Sequence, residues 1–304
     1  MNDREMSRRE MLATTAGTLA GVTLTAGRPL FGQETKKERK QRTPQGFRIG
    51  VCDWTIGKRC DPAALAIAKK IGLDGVQVDF GGGPDKDPPL FSAELQSRYA
   101  EEVKAQEVRI ASLAMGVLNE VAYKSDPRAE KWVDQAIDVA RAMRQRIILL
   151  AFFSKGDLKG DAAGTDTVVS KLKNIAPKAE KARVTLGFES WLSAEEHLAI
   201  LDRIGSPAVQ VYYDVANSHM KGYDIYKEIR VLGKRICQVH AKDYDDLYGK
   251  GSIDFKRVRE ALDDAGYRGW LVMEGTKFPK GPNGVEEGCR YDAEYLRPIF
   301  PRRV

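Results

Sequence analysis

Eight short apolar runs recur between Arg48 and Glu274, and the four in the C-terminal half end abruptly in polar positions. Continuous apolar runs of this kind read as strands buried on both faces, the pattern of a parallel sheet covered by helices. They are Arg48 to Asp53, Gly75 to Phe80, Arg109 to Met115, Arg146 to Phe152, Val184 to Glu189, Val209 to Asp214, Ile236 to His240 and Trp270 to Glu274. The segments between them mix apolar and charged positions at helical spacing and carry start and stop signals. Asp61-Pro62 and Asp126-Pro127 each set a capping side chain before a proline suited to the first helical position. Ser193-Ala194-Glu195-Glu196 has the spacing of a capping box, and Gly72, Gly205 and Gly266 stand where helices should stop. The pattern predicts further helices from Ser92 to about Gln106 and from Asp166 to Ala182, with Ser154 to Thr165 as a polar loop.

Successive strand ends lie about 25 to 37 residues apart, enough for one strand, one helix and two loops. Eight such repeats predict a (β/α)8 TIM barrel as a single domain over residues 47–304, within the usual size of about 250 residues. A doubly wound open sheet is the alternative. It asks for a glycine-rich phosphate turn after the first strand, where the chain has Asp53-Trp54-Thr55-Ile56-Gly57.

The N-terminus belongs to a different pattern. Ser7-Arg8-Arg9-Glu10-Met11-Leu12 precedes an uncharged run from Ala13 to Gly27, which reads as a twin-arginine signal over residues 1–32. The other reading is a disordered basic N-terminus. The run is too short and too rich in Gly and Thr to anchor in a membrane, so the expectation is an exported or periplasmic protein with no stable membrane insertion after cleavage. Residues 33–46 read as a basic flexible linker, in which Lys36, Lys37, Arg39, Lys40 and Arg42 supply much of the formal net charge of +6. No aromatic interleaving or folded basic motif accompanies them, so no nucleic-acid partner is expected. Cys52, Cys60, Cys237 and Cys289 lack metal-type spacing; Cys52 and Cys237 read as buried strand thiols, and no disulfide pairing is assigned.

Candidate chemistry gathers in the C-terminal half. Four consecutive strands end in Glu189, Asp214, His240 and Glu274. A lone strand-end carboxylate is commonly a helix cap or ion-pair partner, but in a parallel barrel the carboxyl ends of the strands converge on one face. Three carboxylates and one imidazole then form a donor set for one divalent ion, Mn, Mg, Co or Zn. Lys242, two residues past His240, points to the same face, where its ammonium can bind a substrate hydroxyl or offset negative charge. Pairing with Asp243 or Asp245 is the competing role. His197 falls within a helix and is read as structural.

Gly187-Phe188-Glu189, Tyr213-Asp214-Val215-Ala216-Asn217, Val239-His240-Ala241-Lys242-Asp243, and the closing segments Gly249 to Phe255 and Gly266 to Glu274 resemble the xylose-isomerase-like TIM barrels, a family of sugar isomerases and epimerases. The resemblance implies a metal-dependent isomerase or epimerase acting on a small carbohydrate through an enediolate. Glu189 and Glu274 are then the acid/base pair as well as ligands, Asp214 and His240 ligands only, and Lys242 a further catalytic group. Trp54, Trp191, Asn217 and His219 would bind substrate, with the two indoles offering faces to a sugar ring or packing on the barrel rim. Homo-oligomers occur among such relatives. The export address favours a non-phosphorylated sugar, glycoside or polyol. Two positions depart from the family pattern, Asn217 in place of His and Gln77 in place of Glu, and both are expected to touch substrate rather than metal. Apurinic-site endonuclease chemistry needs many histidine ligands for three zinc ions and is not expected of a chain with a total of 3 His. Two alternatives stay open: elimination from a keto-sugar or inosose by a dehydratase or lyase, and a non-catalytic carbohydrate-binding barrel or partner subunit.

Overall fold

All eight apolar runs form strands: β1 (Arg48–Cys52), β2 (Gly75–Asp79), β3 (Arg109–Met115), β4 (Ile147–Phe152), β5 (Thr185–Ser190), β6 (Val209–Asp214), β7 (Ile236–Ala241) and β8 (Trp270–Met273). The computed structural model describes residues 46–275 and 277–302. The expected signal (1–32) and all but the last residue of the expected linker (33–46) lie outside the described residues. Each strand pairs in parallel with the next, and β8 closes on β1, with Ile49 opposite Leu271 and Val51 opposite Met273. The fold is the expected closed (β/α)8 barrel and not an open sheet.

Alternation along the strands sorts the side chains into two environments. Outward residues, among them Ile49, Val51, Val76, Leu150, Leu186, Val211 and Leu271, join the apolar faces of the helices in one continuous core. Inward residues form smaller clusters, Cys52 with Ala111 and Val272, and Ala114 with Leu149, Ala151 and Tyr212. The indole of Trp270 lies against Gly75, where a Cβ would come within 2.6 Å of both the ring and the Arg109 carbonyl oxygen, so only glycine fits. The barrel interior is polar as well as apolar. Gln238 Nε2 donates to Ser112 Oγ at 2.9 Å and to Tyr212 Oη at 3.0 Å.

The helices are α1 (Ala64–Ile71), α2 (Ala93–Gln106), α3 (Pro127–Ala142), α4 (Ala162–Ala182), α5 (Ala194–Ile204), α6 (Val215–Met220), α7 (Ile225–Leu232), α8 (Phe255–Asp264) and α9 (Gly284–Ile299). The capping box at Ser193 and Glu196 forms in both directions, and Asp126 accepts from Arg128 N–H at the start of α3. Asp61 instead accepts from Ala63 N–H in a turn, so α1 begins after it. α4 starts four residues before the expected Asp166, because Asp161 caps Gly164 N–H at 2.8 Å and is itself held by Lys124 at 2.8 Å. α6 and α9 had no counterpart in the sequence pattern. α9 packs against both α8 and α1 and so closes the helical ring. Among the described residues no helix is long and apolar enough to cross a membrane. All four cysteines are free; Cys52 is buried as expected, whereas Cys237 is only half-buried.

Candidate metal centre

β5, β6 and β7 carry Glu189, Asp214 and His240 on their inward faces, and Glu274 follows β8, its backbone N–H still bonded to Ala241 O at 2.9 Å. One donor atom from each of the four lies within 4.8 Å of all the others. Oxygen and nitrogen ligands sit about 2.0–2.2 Å from such an ion, so donors on opposite sides of it are about 4.4 Å apart. The spacing therefore suits one ion with little movement. His240 Nδ1 lies 2.9 Å from Glu189 Oε1, 3.5 Å from Glu274 Oε2 and 3.8 Å from Asp214 Oδ2. Its other nitrogen, Nε2, donates to Gln77 Oε1 at 2.7 Å, which leaves Nδ1 to face the carboxylates. Asp214 divides its oxygens: Oδ1 caps α6 by accepting from Ala216 and Asn217 N–H, each at 2.8 Å, while Oδ2 is buried with no hydrogen-bond partner. An orphaned carboxylate oxygen beside an imidazole and two glutamates is what a cation site leaves when described without its ion.

The electrostatics agree. Burial pushes the Asp214 carboxyl up to about 7, helped by Glu274 and Glu189 and opposed by Lys242. Burial works on Glu274 in the same sense, yet Lys242 and His240 hold it below the ordinary carboxylate range. Lys242 Nζ lies 3.0 Å from Glu274 Oε2, and the Trp54 indole N–H donates to Oε1 at 3.0 Å. Burial disfavours the His240 imidazolium, but Glu189 above all keeps its proton bound more tightly than in free histidine. Ion binding at these donors must displace that proton from Nδ1.

A family model described as "Xylose isomerase-like TIM barrel" matches residues 65–298. The chain belongs to this family. It is 26% identical over 228 residues to a 2-epi-5-epi-valiolone 7-phosphate 2-epimerase from Actinoplanes sp., a match covering 71% of this chain and 82% of the relative. It is 29% identical over 144 residues to a D-psicose 3-epimerase from Enterocloster bolteae, covering 44% of this chain and 47% of that protein. A 3-keto-D-glucoside 4-epimerase from E. coli, solved in its apo form, has the same fold, with a TM-score of 0.67, 14% identity and coverage of 83% of this chain and 99% of that one.

In this xylose-isomerase-like barrel the four-residue cluster floors a cavity of about 610 Å³, into which Glu189, Glu274 and Lys242 open together with Trp54, Trp191 and Asn217. Lys242 pairs with Glu274 at 3.0 Å and lies 3.7 Å from Asp214 Oδ2. Asp243 accepts from Asp245 N–H and Ile253 N–H and holds the loop after β7. Trp54 orients Glu274 through its N–H rather than merely offering a ring face. Trp191 meets Phe153 edge-on at 4.8 Å, and Lys221 Nζ lies 4.4 Å from its ring centroid. Asn217 Oδ1 accepts from the Tyr244 hydroxyl at 2.5 Å.

Two expectations are corrected. His219 is exposed and is not among the cavity-lining residues. The segment after β6 is helical, and two residues on from Asn217 a helix has turned by about 200°, away from the site. Gln77, expected to touch substrate, lies under the metal centre with its Oε1 on His240 and also accepting from Cys52 Sγ at 3.2 Å. Its signal was a polar residue at an inward position of an otherwise apolar strand. Arg59 and Tyr244 also line the cavity and carried no sequence signal. His197 is structural as expected, set between Ser190 Oγ at 3.0 Å and the Ser193 carbonyl at 2.9 Å.

Proposed function

We propose that this chain is a divalent-metal-dependent sugar isomerase or epimerase acting on a non-phosphorylated sugar or sugar derivative. Its isomerase/epimerase character agrees with the epimerases among its relatives. The observation that carries the reading is the convergence of Glu189 and Glu274 on one cavity floor that also bears a complete donor set for an ion. Glu189, Asp214, His240 and Glu274 would hold a divalent ion, which would supply a Lewis acid for a substrate carbonyl oxygen. Glu274, kept ionised by Lys242 and His240, takes the proton from the carbon next to that carbonyl, and the C–H electrons move into an enediolate. Glu189 would return a proton to the other face of the same carbon or to its neighbour, leaving on Glu274 the proton it took up. Lys242 holds Glu274 in place and offsets the negative charge that develops. The proposed export of the chain favours free sugars, glycosides or polyols as substrates.

Exchange in D₂O tests the step before any product is known. Protein loaded with Mn²⁺ is expected to replace the α-carbon proton of a keto sugar with deuterium, followed by NMR. Glu274→Gln should slow that exchange by about 10²- to 10⁴-fold, the usual worth of a positioned base. Undiminished exchange in a Glu274→Gln protein that still binds its ion would remove Glu274 from the mechanism. No exchange by metal-loaded wild type with any keto sugar, keto glycoside or inosose would favour a carbohydrate-binding role.

A further inference from the structure

All four metal donors come from β5 to β8 or the residue just after, yet the cavity continues across the loops that follow β1 to β4. This second lobe is lined by Arg59, Asp79, Gly83, Asn119, Glu120 and Ser154. With about 30 Å³ for each water-sized group, the cavity's volume of about 610 Å³ holds about 20 of them. A hexose has about twelve heavy atoms and a disaccharide about twenty-three, so one ring at the ion leaves the second lobe unfilled.

The lobe is built, not merely open. Asp79 Oδ1 accepts from Arg59 Nε at 3.0 Å and from Gly81 N–H at 2.6 Å, and its Oδ2 accepts from Gly116 N–H at 3.2 Å. That fixes the guanidinium by its inner edge. A Cβ on Gly116 would lie 2.5 Å from Asp79 Oδ2 and 3.1 Å from Arg59 Nη2, so the approach requires glycine there. Asn119 Oδ1 accepts from Phe153 N–H at 3.2 Å and fixes the loop after β4, where Ser154 takes a left-handed φ of 49°. The charges are internally matched, Arg59 by Asp79 and Glu120 by Lys155 at 3.2 Å. A phosphate entering this lobe would meet an arginine that is already neutralised and the Glu120 carboxylate. Hydroxyl groups, which donate and accept, suit the mixture of guanidinium, amide, carboxylate and hydroxyl that lines it.

We propose that the β1–β4 lobe is a subsite for a second, uncharged polyhydroxylated ring, so that the substrate is a glycoside or disaccharide whose reacting carbons lie over the metal donors. The assignment rests on the isomerase/epimerase reading of the metal centre. Three probes separate the two: D-fructose, fructose 6-phosphate and a 3-ketoglucosyl disaccharide, each incubated in D₂O with the Mn²⁺-loaded full chain.

The disaccharide is expected to exchange its α-proton with a kcat/KM at least about tenfold above that of either fructose probe, about 1.4 kcal/mol. Glu120→Trp, which fills the lobe, and Arg59→Lys, which keeps the charge on Asp79 but loses the planar fork, should each lower the disaccharide-to-fructose ratio by about tenfold. A ratio near one in the wild type, a ratio that both variants leave intact, or preference for fructose 6-phosphate overturns the subsite while leaving the enediolate reading in place. No exchange with any probe sinks the enediolate reading. Calorimetric titration with the same sugars then still decides the subsite: tighter binding of the disaccharide, lost in Glu120→Trp, supports it, and equal binding overturns it.

Discussion

His240 can hold an ion through Nδ1 only if its ring is kept in one tautomer and one orientation, and Gln77 Oε1 does both by accepting from Nε2 at 2.7 Å. Replacing Gln77 by Leu removes that acceptor and leaves Nε2–H and the Cys52 thiol, 3.5 Å apart in a buried place, with only each other. Gln77→Glu keeps an acceptor and makes it a carboxylate. Calorimetric titration of metal-free protein with Mn²⁺ should therefore show affinity about 10- to 100-fold weaker in Gln77→Leu and retained in Gln77→Glu. Equal affinity in wild type and Gln77→Leu would leave Gln77 with no positioning role. The convergence of the four candidate donors was legible in the sequence because each ends an apolar strand, and strand ends converge in a barrel. Gln77 was legible only as an oddity, since its partner is 163 residues away and the register that joins them is a property of the closed sheet.

At the scale of elements, the junction of β5 and α5 makes a pH prediction. His197 receives no help from solvent, and burial lowers its pKa from 6.5 to about 4. Above pH 6.5 the ring is neutral in both folded and unfolded chains, and its contribution is complete. Between pH 6.5 and about 4 the unfolded chain takes up a proton that the folded one refuses, so stability is lost as pH falls. The loss amounts to roughly 3 kcal/mol at the acid end. Urea unfolding at pH 7 and pH 4 should show wild type losing roughly that much more than His197→Gln; parallel losses would assign acid sensitivity to other groups. The capping box that begins α5 was readable because both partners lie within four residues. α6 and the early start of α4 were not, because Asp214 serves as strand end, metal donor and helix cap at once, and Asp161 caps with the help of Lys124, far away in sequence.

A bound ion would also bear on the whole barrel. Its donors tie together four consecutive strands, half of the closed sheet, and without a cation Glu189, Asp214 and Glu274 crowd three acidic groups into one buried space, balanced by Lys242 and His240. An ion that binds only the folded chain stabilises it by about 2.7 kcal/mol at a free concentration of 100 Kd. For a domain of this size that raises Tm by roughly 5–10 °C. Asp214→Asn removes one negative charge and weakens the donor whose Oδ2 has no hydrogen-bond partner, while its remaining side-chain oxygen can still cap α6. Its metal-free form should therefore melt no lower than metal-free wild type by more than about 3 °C, whereas its rise on adding Mn²⁺ should fall to less than half that of wild type. Scanning calorimetry with EDTA and then with excess Mn²⁺ measures both. A wild-type Tm that ignores divalent ions would mean that Lys242 and the His240 imidazolium already neutralise the cluster, and the barrel would then hold its carboxylates by an internal ion-pair network rather than for a metal.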